Sequence, residues 1–96
     1  MATFITMFKF TETGLQGIRE TTKRAAAFKT AVKKTGIKII GTYWTLGKFD
    51  GLIVFSAPDP ETATAAMLRL ASQGNVTTTT VRAFEAGEME KILGLM

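Results

Sequence analysis

The chain has 96 residues, a net charge of +4, no cysteine and no histidine. This length fits one domain, predicted here to span residues 1–96, and the lack of cysteine excludes disulfides, thiolate zinc sites and cysteine nucleophiles. The lack of histidine removes the commonest general base and transition-metal ligand and excludes a haem with an axial histidine, so we expect no metal and no cofactor.

The first third of the chain predicts a strand followed by an interrupted helix. Residues 2–11 alternate in strand fashion, and neither face is clearly polar, which indicates cover on both sides. Thr13 and Gln16 have the spacing of a capping box. The helical stripe after them consists of Ile18, Ala25, Phe28 and Val32. Because Thr21 and Thr22 are poor helix-interior residues, we expect a short helix, a break, and a longer helix from about residue 22 to Lys34. Gly36 is expected to end that helix in a left-handed cap conformation.

The middle of the chain predicts a hairpin. Residues 37–46 and 52–57 alternate as strands, and the turn cluster at residues 47–51 contains two glycines. A short connection of this kind joins antiparallel strands. Both faces of these strands are substantially apolar, as in the first strand.

The last third predicts a helix, a strand and a second, shorter helix. Asp59 and Pro60 are typical of a helix cap and a first helical position, and Gly74 is typical of a helix end. Residues 76–84 are rich in β-branched side chains and predict the fourth strand. Residues 85–96 predict a short terminal helix.

The resulting order, β-α-β-β-α-β, predicts an α+β protein of the ferredoxin-like class. This fold has a four-stranded antiparallel sheet with helices on one face, to which a short C-terminal helix is added here. The apolar residues on both strand faces require cover for the open side of the sheet. We therefore expect a homo-oligomer, at least a dimer, in which a partner's sheet provides that cover.

Four residues around the hairpin are the candidate ligand-binding set: Tyr43, Trp44, Phe49 and Asp50. Turn chemistry alone explains Phe49 and Asp50, since aspartate commonly bonds turn amides. Neighbouring strand residues point to opposite faces, so Tyr43 and Trp44 line one pocket only if the strand bulges. The ligand of such a pocket would be small and apolar or aromatic. We predict no catalytic residue and no metal-ligating residue.

Basic charge is concentrated on one helix, with seven basic residues and one acidic residue between Arg19 and Lys38. Charged outer faces are typical of surface helices, and no aromatic side chains interleave to stack on bases. We therefore expect no nucleic-acid partner. No segment has the ~20 consecutive apolar residues of a membrane span, and the N-terminus does not resemble a signal peptide, so we expect a cytoplasmic protein without a membrane partner.

Three segments together resemble the GYD-domain family of small bacterial proteins: residues 23–28, residues 41–50 and residues 74–84. The naming motif is represented here by Gly47-Lys48-Phe49-Asp50, in which phenylalanine stands at the tyrosine position. The resemblance implies a relative of the dimeric α+β barrel proteins and implies no particular activity. Two functions remain open. The favoured one is a binding or assembly protein, and the alternative is a cofactor-independent monooxygenase or isomerase with an internal cavity.

Overall fold

Four antiparallel strands form one sheet in the order β2-β3-β1-β4. The computed structural model describes residues 1–96, and its strands are β1 (Ala2–Phe10), β2 (Lys38–Trp44), β3 (Gly51–Ala57) and β4 (Val76–Ala83). In the middle of the sheet, Phe4 lies opposite Phe55 on β3 and opposite Arg82 on β4. This order, with every pairing antiparallel, confirms the predicted ferredoxin-like α+β fold.

The predicted break in the first helical region is confirmed. The helices are α1 (Glu12–Gln16), α2 (Thr21–Lys33), α3 (Pro60–Ser72) and α4 (Ala86–Leu93), and a 3-10 turn, Ile18–Glu20, separates the first two. No helix combines the length and the apolar character that crossing a bilayer would need.

The cap of α1 is Thr11, and the prediction of Thr13 is wrong. The Thr11 hydroxyl accepts a hydrogen bond from the Gly14 amide at 3.1 Å, and Thr11 has an extended backbone. Because β1 ends at Phe10, the chain turns directly from strand into helix and the cap falls two residues earlier. The predicted cap of α3 is confirmed: the Asp59 carboxylate accepts from the Thr62 amide at 2.7 Å, and hydrogen bonding to Thr62 lowers the pKa of Asp59.

The core lies between one face of the sheet and helices α2 and α3. Phe55 and Val32 are almost completely buried there, whereas Ile18, predicted to share the stripe of Val32, is exposed because it belongs to the 3-10 turn. Thr6 is the one buried polar residue. Its hydroxyl lies 2.8 Å from that of Thr80 and donates to the Met67 sulfur at 3.0 Å, so its hydrogen bonding is satisfied.

Helix α4 extends away from this core and buries none of its residues. The molecule measures 48 × 31 × 18 Å, and its radius of gyration is 14.3 Å. A chain of this length with a compact shape would have a radius of about 12.5 Å. The larger observed radius agrees with a terminal helix that is not packed against the core of its own chain.

Candidate functional site

Asp50 fastens the hairpin turn to the end of β1. Its carboxylate accepts a hydrogen bond from the Phe10 amide at 2.8 Å, and its own amide donates to the Phe8 carbonyl at 2.8 Å. The expectation that Asp50 bonds turn amides is wrong. Because β3 pairs with β1 and Gly51 lies opposite Phe8, the residue before Gly51 reaches the β1 backbone instead.

Two substitutions at Asp50 should show whether its hydrogen-bond acceptor or its charge contributes to the free energy of unfolding. We expect Asp50→Asn to change the free energy of unfolding by less than roughly 0.5 kcal/mol, since the amide oxygen can still accept from Phe10. Asp50→Ala should cost about 1 kcal/mol, the usual loss when a side chain that satisfies a backbone amide is removed. Urea denaturation of both variants measures the free energy of unfolding. Equal losses of stability in the two variants would contradict the role of Asp50 as an acceptor for the Phe10 amide.

Tyr43 and Trp44 lie on opposite faces of the sheet. Trp44 pairs with Gly51 on the helix side, and its indole N–H donates to the Thr21 hydroxyl at 3.0 Å, at the start of α2. Tyr43 pairs with Leu52 on the other side. The strand does bulge, but the bulge lies between Ile39 and Gly41, before both aromatic residues. It therefore does not bring Tyr43 and Trp44 into one pocket.

Phe49 is half-buried in the turn, with the Lys48 ammonium 5.9 Å from the centre of its ring. The Phe49 carbonyl accepts from the Thr45 hydroxyl at 2.7 Å, so this residue helps to close the turn. The structure therefore places the four predicted site residues in three surroundings: the turn, the helix side of the sheet and its open side.

A cleft of about 60 Å³ opens between α2 and the helix side of the sheet, and we call it the α2 cleft. Of the four predicted residues, only Trp44 lines it. Its apolar walls are Phe8, Phe10, Ala25, Phe28, Ile53, Leu70 and Val76. Its polar lining residues, apart from Trp44, are Thr21, Arg24, Thr42, Gln73 and Asn75.

Arg24 is the charged cleft residue that the sequence analysis did not assign to a site, because it was counted only as one of the seven basic residues between Arg19 and Lys38. The signal was its spacing, since Arg24 lies four residues before the buried Phe28. Residues four apart lie on the same side of a helix. The lining of the cleft contains no carboxylate, and nowhere in the structure do three or more acidic side chains form a group that could hold a metal ion.

The sheet side without helices carries a continuous apolar surface, here called the open face: Ile5, Met7, Tyr43, Leu52, Val54 and Val81. Ile5 lies between Val54 and Val81, and Leu52 lies between Met7 and Tyr43. Tyr43 and Val81 are exposed, and the others are half-buried. The apolar side chains are densest on the central strands β1 and β3, while exposed Thr77 and Thr79 lie on the edge strand β4.

Arg82 fixes the start of α4. Its guanidinium lies 4.5 Å from the ring centre of Phe84 and 5.7 Å from that of Phe4, and it donates to the Glu88 carboxylate at 3.0 Å. Glu88 also accepts from the Glu85 amide at 3.1 Å. That bond and the one from Arg82 lower the pKa of Glu88. Glu88 therefore joins the terminal helix to the sheet.

Comparison with known proteins gives three matches. The family model described as the GYD domain matches residues 4–93. The glutamine synthetase and cystathionine beta-lyase binding protein of Thermus thermophilus is 30% identical over 90 residues, which cover 93% of this chain and 95% of the relative. The crystal structure of a Thermus thermophilus protein shares the fold with a TM-score of 0.56 at 19% identity, over 90% of this chain and 96% of that one. The resemblance read from the sequence is confirmed, and the chain belongs to the GYD domain family.

Proposed function

We propose that this chain is a homo-oligomeric binding protein whose partners are enzymes. The observation that carries the proposal is the presence of two separate apolar surfaces on one small chain, the open face and helix α4. The named relative supports it, because that protein is a binding protein for two enzymes and aligns with this chain over nearly the full length of both.

The open face is the surface we assign to a second copy. It is apolar at its centre and polar at one end of β1, where Lys9 and Thr77 pair. Protein interfaces share this arrangement of an apolar core and a polar edge. Two sheets pack face to face at about 10 Å, so a second open face would cover the first without any change of fold.

Helix α4 is the surface we assign to the enzyme partner. It projects from the body as a narrow convex element, which suits insertion into a groove. Its apolar side chains Met89 and Leu93 are exposed, and so are Leu95 and Met96 beyond its end. The hydrogen bonds of Glu88 hold its first turn in place, so its direction is set before a partner arrives.

The α2 cleft favours binding over the alternative of a cofactor-independent enzyme. The only charged group lining it is Arg24, and a guanidinium stays protonated in proteins. Without a carboxylate, an amine or an imidazole, the cleft offers no group to take up and return a proton.

A binding assay with variants of α4 tests the enzyme-partner proposal. The chain, immobilised on a biosensor, should bind glutamine synthetase or cystathionine β-lyase from the organism that encodes it. Met89→Ser with Leu93→Ser should weaken that binding at least roughly tenfold, because two apolar side chains would lose their burial.

The matched control is Glu90→Ser with Lys91→Ser, which changes two exposed polar residues of the same helix and should leave binding unchanged. Absence of binding to either enzyme at micromolar concentration would contradict the proposal. Equal losses in the two double variants would contradict the assignment of α4.

A further inference from the structure

We propose that the α2 cleft binds a small organic monocarboxylate, with its apolar body between α2 and the sheet and its carboxylate on Arg24. This ligand site is separate from the two protein-binding surfaces proposed above and does not depend on them. The inference rests on three features of the cleft: the unpaired guanidinium of Arg24, the glycine at residue 17 that leaves room for it, and the volume of the apolar space beside it.

The Arg24 guanidinium has no partner within the protein. It makes no hydrogen bond and no ion pair, although the residue is half-buried. The adjacent Lys23 pairs with Glu20 at 3.4 Å, and Arg82 pairs with Glu88 at 3.0 Å. Arginine presents five N–H donors in a planar fork that matches a carboxylate. Unused donors beside an apolar cleft without any acidic lining are complementary to an anion.

Gly17 provides the space in which this guanidinium lies. A Cβ atom at Gly17 would overlap the Arg24 Nη2 atom, closer than two such atoms can approach. The backbone of Gly17 has a φ of −104°, which any residue adopts, so the conformation itself does not require glycine. The missing side chain at residue 17 therefore makes room for the Arg24 head group.

The start of α2 adds positive potential to the same place. Thr21, the first residue of this 13-residue helix, lines the cleft, and Glu20 before it makes no side-chain capping bond. The N-terminal end of a helix carries a partial positive charge. The Thr21 hydroxyl accepts from the Trp44 indole, which closes one side of the cleft. The Glu20 carboxylate, which precedes the helix, is paired with Lys23 at 3.4 Å, so the helix end and the guanidinium together favour a negatively charged head group.

The cavity volume limits the apolar part of the ligand. A cavity of about 150 Å³ accepts benzene, whereas the α2 cleft encloses about 60 Å³. The enclosed part of the ligand is therefore smaller than a phenyl ring, and a short branched alkyl chain fits this limit. Isovalerate combines such a chain with a carboxylate and is the probe that we choose. Isovaleramide has the same shape without the charge.

The fluorescence of Trp44 reports on the cleft directly, because it is the only tryptophan in the chain and lines the site. Isovalerate should change this fluorescence with a saturable dependence on concentration. Isovaleramide should bind at least roughly tenfold more weakly, a factor that corresponds to about 1.4 kcal/mol.

Three variants test whether Arg24 is responsible for the preference for isovalerate over isovaleramide. Arg24→Gln should remove the preference for the acid over the amide. Gly17→Ala should reduce the same preference although the net charge is unchanged, because the added methyl group displaces the guanidinium. Lys33→Gln removes one positive charge from the exposed side of α2 and should leave the preference intact.

Several outcomes would overturn the proposal. They are the absence of a saturable change up to the solubility limit of isovalerate, equal affinities for acid and amide, and a preference that survives in Arg24→Gln. Thermal unfolding establishes that each variant is folded. If Arg24→Gln does not fold, Arg24→Met replaces it, because methionine keeps an unbranched side chain without the charge, and it should likewise remove the preference.

Discussion

Val54→Lys should sediment as a monomer at micromolar concentrations at which the parent chain sediments as a dimer or a larger oligomer. Val54 lies on the central strand β3, opposite Ile5 and Gly41, in the middle of the open face. In the proposed oligomer a lysine there would hold an unpaired ammonium between two apolar sheets. Leaving a buried charge without a partner costs about 3–5 kcal/mol, so the dissociation constant should rise at least roughly a hundredfold.

The matched control is Ala27→Lys, which adds the same charge on the exposed side of α2 and should leave the sedimenting mass unchanged. Circular dichroism should be alike for both variants and the parent, because Val54 is only half-buried within one chain. A parent chain that is monomeric throughout the micromolar range would contradict the homo-oligomer. A Val54→Lys protein that keeps the parent's mass would contradict the role of the open face.

Phe55→Ala should be the most destabilising single substitution that removes side-chain atoms. Phe55 is fully buried, and its ring stacks on Phe4 with centres 5.5 Å apart. Truncating a buried phenylalanine typically costs about 3–5 kcal/mol, because apolar contacts are lost and a cavity remains. Proteins of this size are stable by only about 5–15 kcal/mol, so the variant should unfold at much lower urea concentration.

The comparison for Phe55 is Phe49→Ala, which makes the same chemical change at a half-buried turn residue. Phe49→Ala should lower the free energy of unfolding by less than half as much as Phe55→Ala. Both unfolding curves must be recorded at one protein concentration, since association of the folded chain shifts the apparent stability. Equal losses at Phe49 and Phe55 would contradict the location of the core given above.

The order of elements could be predicted from the sequence because each one carries local signals. Asp59 and Pro60 begin α3 as expected, and Gly36 adopts the predicted left-handed conformation with a φ of +91°. The cap of α1 was misplaced because Thr11 and Thr13 are chemically equivalent candidates. Only the end of β1 decides between them, and that end depends on pairing with β4 across the sheet.

The candidate site was harder to predict because its residues meet through topology and not through spacing. That Tyr43 and Trp44 diverge follows from strand alternation alone. The partner of Asp50 could not be foreseen without knowing that β3 pairs with β1. Arg24 looked like one more surface charge, since the sequence predicts the break in the helix but not that the break brings Gly17 against the Arg24 head group.

The edge strand β4 contains four consecutive threonines, residues 77–80, and this repetition makes its alignment ambiguous. Sliding β4 by two residues along β1, in the direction that places Arg82 opposite Ala2, would still offer Thr6 a threonine hydroxyl, because Thr78 would replace Thr80. Sliding it one way would bring Arg82 opposite the buried Thr6, and sliding it the other way would move Arg82 opposite Ala2 and off the Phe4 ring. Arg82, together with Val76 opposite Phe10 and Val81 opposite Ile5, therefore opposes slipping of β4, and Arg82 also fixes the start of α4 through Glu88.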